Sequence, residues 1–190
     1  MKHLIIYAHP NPGSLNAQLK QTLEVHLRQH NHEVIIRDLY ALNFNPVLSR
    51  QDIEGQRKGL VADDVQQEQR YITWADCVTF IHPIWWTGLP AIAKGYIDRV
   101  FSYGFAYRYD QGVQKGLLKG KQAVIINTQG KSSKHYQSIG MDKALSLTSD
   151  TGIYNYCGFT RKQHFFFEKA DRAGSADIDQ WKDQICRIFS

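Results

Sequence analysis

Cys77-Val78-Thr79-Phe80-Ile81-His82-Pro83-Ile84-Trp85-Trp86-Thr87-Gly88-Leu89-Pro90 is the stretch on which the fold turns. A short apolar run with β-branched residues reads as a buried strand, and Pro83 ends it because proline has no amide to donate to a central ladder. Pro90 fits the first turn of a helix. Between the prolines lie two adjacent tryptophans. Paired indoles at the carboxyl end of a strand are costly to leave wet, and a large flat ligand would cover them. They are read equally well as core or subunit-interface aromatics.

Outward from this strand the chain alternates between two patterns. Leu4–Ala8, Val34–Ile36, Ala123–Asn127 and Gln163–Phe167 are further short apolar runs. Between them, Leu15, Leu19, Leu23 and Leu27 have helical spacing behind Ser14 as a cap, and Asp63–Trp74, Pro90–Phe101, Asp142–Tyr156 and Ile178–Phe189 are predicted helices. Parallel strands need crossover connections, so five strands alternating with helices predict a parallel sheet wound on both faces. The expected arrangement is a flavodoxin-like three-layer sandwich, strand order 2-1-3-4-5, with its ligand at the switch between the first and third strands. The 190 residues are read as a single domain, 1–190. Tyr103–Gly120 is a Tyr- and Gly-rich excursion before the fourth strand, long enough to suggest a functional role.

No apolar run is long enough to span a bilayer, and the start reads as a strand, not a signal peptide. Three widely spaced cysteines, Cys77, Cys157 and Cys186, have no metal-ligand pairing and predict a reduced, cytoplasmic setting. A net charge of +5 and a pI near 9.1 suit anionic ligands. The basic residues are scattered, which argues against nucleic acid.

Three loops are expected at the carboxyl edge of the sheet. His9, Ser14 and the amides of Leu15 and Asn16 form a candidate phosphate site at a helix N-terminus, although Ser14 is equally a plain N-cap. Pro83, Ile84, Trp85 and Trp86 form the second loop. The third, Thr128 to Tyr136, offers Gly130 for close backbone approach and the Tyr136 hydroxyl as a donor. Neither a Walker A motif nor a GxGxxG fingerprint occurs.

Tyr7-Ala8-His9-Pro10 with Ser14 and Asn16 resembles the flavin-phosphate loop of the NAD(P)H:quinone oxidoreductase family, the DT-diaphorase type. So does Asp38-Leu39-Tyr40 followed by Phe44-Asn45-Pro46. The stretch from His82 to Trp86, Leu89–Gly95, Asp98-Arg99-Val100-Phe101 and Gly104-Phe105-Ala106-Tyr107 continue the likeness, which runs from Leu4 to Phe159. Tyr156-Cys157-Gly158-Phe159 and the length are most similar to short bacterial members. Those include general-stress NAD(P)H oxidoreductases and ancillary subunits of glutathione-gated potassium efflux systems.

The resemblance implies a homodimer with shared flavin sites and ping-pong hydride transfer from NADH or NADPH through flavin to a quinone. FMN is favoured and FAD is the alternative. By position, His9, Ser14, Leu15 and Asn16 would hold the phosphate, and Pro83, Ile84, Trp85 and Trp86 would line the isoalloxazine. Thr128, Gln129 and Gly130 would bond its polar edge, with Tyr136 as the catalytic donor. Gln129-Gly130 stands where the family often has Gly-Gly, and Asp142 stands where DT-diaphorase has a histidine partner for its tyrosine. Tyr96, Phe101, Phe105 and Tyr107 are the interface candidates. The alternative reading is an ancillary subunit associated peripherally with a membrane transporter, with secondary reductase activity.

Overall fold

The computed structural model describes residues 1–189. Along the chain come β1 (Lys2–Tyr7), α1 (Leu15–Gln29), β2 (Glu33–Asp38), α2 (Arg50–Gln56), α3 (Asp63–Trp74), β3 (Cys77–Pro83) and α4 (Ala91–Val100). There follow β4 (Tyr107–Asp110), β5 (Val113–Gly116), β6 (Gln122–Thr128), α5 (Ser133–Ser138), α6 (Met141–Ser146), a π-helix (Leu147–Asn155), β7 (Thr160–Phe167) and α7 (Ser175–Arg187).

Five strands form one parallel sheet in the order β2-β1-β3-β6-β7. The strand numbering departs from the sequence reading because Tyr103–Gly120 is not an irregular loop. It holds an antiparallel hairpin, β4–β5, turned at Gln111 and Gly112, both with positive φ. The hairpin closes tightly on the chain beyond it: a Cβ on Gly116 would lie 2.4 Å from the Gly158 nitrogen.

β3 is central and buried along its whole length, which explains its unbroken apolar run. Strand alternation sends side chains to two cores. Leu4 and Ile6 of β1 pack with Ile72 of α3 and with Ile92, Tyr96 and Val100 of α4. Ile5 and Tyr7 pack on the other face with Leu19, Leu23 and Leu27 of α1 and Ile185 of α7. Among the described residues no helix is long and apolar enough to cross a membrane.

Two further elements depart from the sequence reading. The predicted helix Asp142–Tyr156 is α6 running into the π-helix. Second, α2 is not among the predicted helices; Ser49 and Asp52 start it with a reciprocal capping box. Arg99 pins this region to α4 by contacting Asp52, Asp64 and the Asn45 carbonyl.

Candidate functional site at the carboxyl edge

The loops after β1, β3 and β6 meet because their strands are neighbours. Beyond the regular ladder, the Ala8 amide donates to the Ile81 carbonyl at 3.0 Å. The Ile84 amide donates to the Thr128 carbonyl at 2.8 Å, and the Gln129 amide to Phe167 at 2.8 Å.

In the first loop, Asn11 does the local shaping. Its side chain accepts from the Gly13 amide at 2.8 Å, and its own amide donates to His9 Nδ1 at 3.1 Å. Nδ1 therefore accepts. Burial lowers the His9 pKa from its ordinary value, so the neutral ring presents Nε2–H as a donor. Ser14 caps α1 by accepting from the Ala17 amide at 3.1 Å, and its hydroxyl also meets the Tyr7 hydroxyl at 3.1 Å. The Leu15 and Asn16 amides occupy the first turn, where a helix has no internal acceptor for them.

The Asn16 side chain is turned inward. It is 3% exposed, its Nδ2 donates to Thr128 Oγ1 at 2.9 Å, and its Oδ1 is buried without a partner. Only the Asn16 backbone remains available. Thr128 also ties the loops together, receiving Asn16 on its hydroxyl oxygen and Ile84 on its carbonyl, which leaves the hydroxyl hydrogen to donate.

The Trp loop is a two-residue turn. Trp85 and Gly88 exchange both backbone hydrogen bonds, at 3.1 and 3.0 Å, and Trp86 and Thr87 have φ of 50° and 58°. Those angles match a primed hairpin turn, which normally uses Asn or Gly. Trp85 reaches the first loop, its ring centroid 5.6 Å from that of His9. Trp86 projects fully into solvent, 100% exposed. Pro83 is buried as the last residue of β3, and Ile84 is half-buried.

In the third loop, Gln129 is buried and nearly exhausted. Its Nε2 donates to the Lys131 carbonyl at 3.1 Å, and its carbonyl accepts from Ala170 at 3.0 Å. Only its Oε1 lacks a partner. Because the Lys131 oxygen can only accept, the amide cannot be turned round. Gly130 is exposed, and the nearest atom to an added Cβ would be Asp171 Oδ1 at 3.8 Å. The chain itself does not require glycine there. Tyr136 lies not in a loop but on α5, half-buried, and lines a cavity of about 130 Å³ with Gln129, Ser133, Asp142 and Phe166. Asp142 Oδ1 is buried there without a partner.

Two of the interface candidates belong to the core. Tyr96 is 1% exposed and donates to Glu68 at 3.2 Å, and Phe101 is 5% exposed. Burial and the Glu68 charge push the Tyr96 pKa well up. Phe105 and Tyr107 are only half-buried. A groove of about 900 Å³ lies on this side of the molecule, lined by Leu48, Ile53, Phe101, Tyr103, Tyr107 and Tyr156 among others. It is separate from the His9 and Trp loops, and its volume alone assigns it no chemistry.

Sequence reading missed a buried polar chain of His82, Asn127, His164 and Asp150. The available signal was polar residues at inward positions of otherwise apolar strands.

The chain matches a family described as flavodoxin-like fold over residues 1–188. It is 41% identical over 168 residues to an uncharacterized NAD(P)H oxidoreductase of Haemophilus influenzae, covering 88% of this chain and 83% of that one. It is 34% identical over 176 residues to NAD(P)H dehydrogenase (quinone) 1 of Rattus norvegicus, covering 82% of this chain and 64% of that enzyme. A solved structure from Streptococcus mutans UA159 superposes with a TM-score of 0.87 at 33% identity, covering 99% of this chain and 98% of that one. The chain therefore belongs to the flavodoxin-like family, and its relatives include NAD(P)H oxidoreductases and quinone dehydrogenases.

Proposed function

We propose that this chain is a flavin-dependent NAD(P)H:quinone oxidoreductase that holds FMN at the switch between β1 and β3 and passes hydride from NADH or NADPH to a quinone. One observation carries the reading: three loops are tied into a single rim, where the Leu15 and Asn16 amides open the first turn of α1 and the buried Gln129 Oε1 stays unpaired. The names of the relatives support the same activity.

The residues suit such a ligand. A helix N-terminus with a neutral His9 Nε2–H and the Ser14 hydroxyl favours a phosphate. Ile84 and Trp85 offer an apolar wall beside His9, with buried Pro83 behind them and the solvent-facing Trp86 left to fold over a bound ring, and Gln129 Oε1 can accept from a ring N–H. Gly130 leaves its backbone approachable. When bound, the flavin supplies the two-electron redox chemistry. The chain's own part is to anchor the phosphate, keep water from one ring face and donate from Tyr136 to the edge where negative charge develops. With flavin bound, these residues would leave the opposite side of the site open to the donor and the acceptor in turn. We read the active form as a cytoplasmic homodimer of single-domain subunits, with Tyr103, Tyr107 and Tyr109 near the contact.

Heat release of the ligand from purified protein, with mass measurement, tests the cofactor. The expected ligand is FMN, and initial rates against NAD(P)H and quinone are expected to give parallel reciprocal plots. A protein that takes up neither FMN nor FAD at micromolar concentration overturns the reading.

A further inference from the structure

Beneath the second and third loops, a polar chain crosses three strands. His164 on β7 has a side chain 3% exposed, stacked on Phe166 with centroids 3.9 Å apart. Its Nδ1 lies 2.7 Å from Asp150 Oδ1 on the π-helix, and its Nε2 lies 2.7 Å from Asn127 Oδ1 on β6. The other Asp150 oxygen receives Ser146 Oγ at 2.7 Å and the Arg161 guanidinium. Asn127 Nδ2 donates to the backbone carbonyl of His82, on β3, at 3.0 Å.

These contacts fix the protons. The His82 carbonyl can only accept, so the Asn127 amide nitrogen must face it and the amide oxygen must face His164. That oxygen also only accepts, so His164 Nε2 carries a hydrogen. Burial alone would raise the Asp150 pKa, but hydrogen bonds from His164 and Ser146 and the His164 and Arg161 charges bring it below the ordinary carboxylate value, and, independently of His164, its other oxygen receives the Ser146 hydroxyl and the Arg161 guanidinium, as a carboxylate does. An ionised Asp150 accepts, so Nδ1 carries a hydrogen too. The ring that satisfies both partners is the imidazolium.

We propose that His164, as an imidazolium clamped between Asp150 and Asn127, is a positioning residue. It locks the carboxyl ends of β3 and β6, and hence the loops Ile84–Trp86 and Gln129–Gly130, against each other. The functional consequence rests on the flavin-site reading above, whereas the clamp itself does not. Loss of one proton leaves a lone pair facing an acceptor oxygen at 2.7 Å. Asp150 holds the remaining hydrogen as the stronger acceptor, so Asn127 must turn its amide towards Nε2. Its oxygen then faces the His82 carbonyl, the 3.0 Å bond to that carbonyl is lost, and Asn127 must resettle against the His82 ring nitrogens 3.2 and 3.3 Å away. The ring itself meets Asp150 of the π-helix and Asn127 of β6; behind Asp150 stand Arg161 on β7, Ser146 on α6 and Tyr154 of the π-helix, and beyond Asn127 stands His82 on β3. Burial and then the His164 charge hold His82 down to about 4, with its Nδ1 bonded to the Pro83 carbonyl, so it stays neutral through the relevant range. Burial and then Asp150 push the Tyr154 pKa up.

The test is nitrogen-15 histidine NMR on the full chain, with His164 assigned by through-bond correlation. At neutral pH both its ring nitrogens are expected to carry hydrogen. On raising the pH, the backbone amides of Ile84 and Gln129 are expected to shift with the same midpoint as the ring. That shared transition is expected to vanish in His164→Gln. Finding a neutral His164 tautomer at pH 7, or identical amide titrations in wild type and variant, overturns the proposal, and the first criterion needs no variant to fold. Binding of FMN, measured in parallel, is expected to weaken severalfold across the same transition in wild type only. If FMN binds at no pH while the amides track His164, the clamp stands and the flavin reading falls.

Discussion

Trp86 and Thr87 hold backbone angles that neither residue favours. Left-handed backbone costs an L-residue about 1–2 kcal/mol, and a β-branched residue is a particular outlier there. Replacing Thr87 with glycine removes that cost but adds unfolded-chain entropy. Thr87→Gly is expected to stabilise the fold by about 0.5–1 kcal/mol. For a chain of this size that is a melting-temperature gain of roughly 1–4 °C by scanning calorimetry. A loss of stability would mean that the turn is not strained. Thr128 makes the opposite prediction. Thr128→Val keeps the shape but leaves the buried Asn16 amide without its acceptor, at a cost of about 1–3 kcal/mol in a denaturant titration. At the phosphate loop, Ser14→Ala combined with His9→Ala is expected to weaken FMN binding at least severalfold, since each bond to a charged group contributes roughly 1.5–3 kcal/mol. Equilibrium dialysis reads it, and full retention of flavin would remove both residues from the site. Ser14 was legible as a helix start from its place before Leu15. The inward turn of Asn16 was not, because it depends on the register that sets Pro83 beside Thr128.

At the scale of elements, the region after β6 was the least legible. The reading of Thr128 to Tyr136 as a polar loop overlooked Ser132, which caps α5 by accepting from the His135 amide. That short helix brings Tyr136 and Asp142 to one cavity. The π-helix was also invisible to a helical-period reading, because its wider turn keeps a broadly helical pattern while shifting the phase. Its phase is what places Asp150 beneath β7. Tyr136→Phe removes one donor, and a loss of about 1.4 kcal/mol corresponds to tenfold in rate. Stopped-flow bleaching of the oxidised-flavin absorption band by NAD(P)H is expected to slow by that order with flavin affinity nearly unchanged. An unchanged rate would leave Tyr136 a packing residue.

Across the whole molecule, buried neutral histidines govern the acid side of stability. His3 is fully buried, and its Nε2 lies 2.7 Å from His32 Nδ1. Burial first, then the His32 and N-terminal charges, holds its pKa down to about 4, and burial does the same for His82. Both folded values lie below the unfolded value near 6.5, so the unfolded chain binds more protons between them. This stability is complete above pH 6.5 and is lost as pH falls towards 4. Asp52 and Asp150, both lowered, add their own losses only below the ordinary carboxylate value. The melting temperature is expected to drop between pH 7.5 and pH 5, and to drop less in His3→Gln. An equal drop would clear His3 of the effect. The sheet itself was readable because strand and helix patterns alternate with so little ambiguity. The β4–β5 hairpin was not, since its tyrosines alternate over too few residues to separate strand from loop.

The position of β1 has a consequence for the growing chain. β2 can cover one edge of β1 almost at once, through a local crossover. The other edge waits for β3, about 75 residues further on. Counted from the end of β2, at Asp38, ordinary synthesis rates leave roughly 2–8 s during which Leu4, Ile5 and Ile6 sit in an open-edged pair of strands. A nascent chain stalled before Cys77 presents that edge to any neighbour, so ribosome pausing in this interval is where the protein is most exposed to aggregation and most in need of a chaperone.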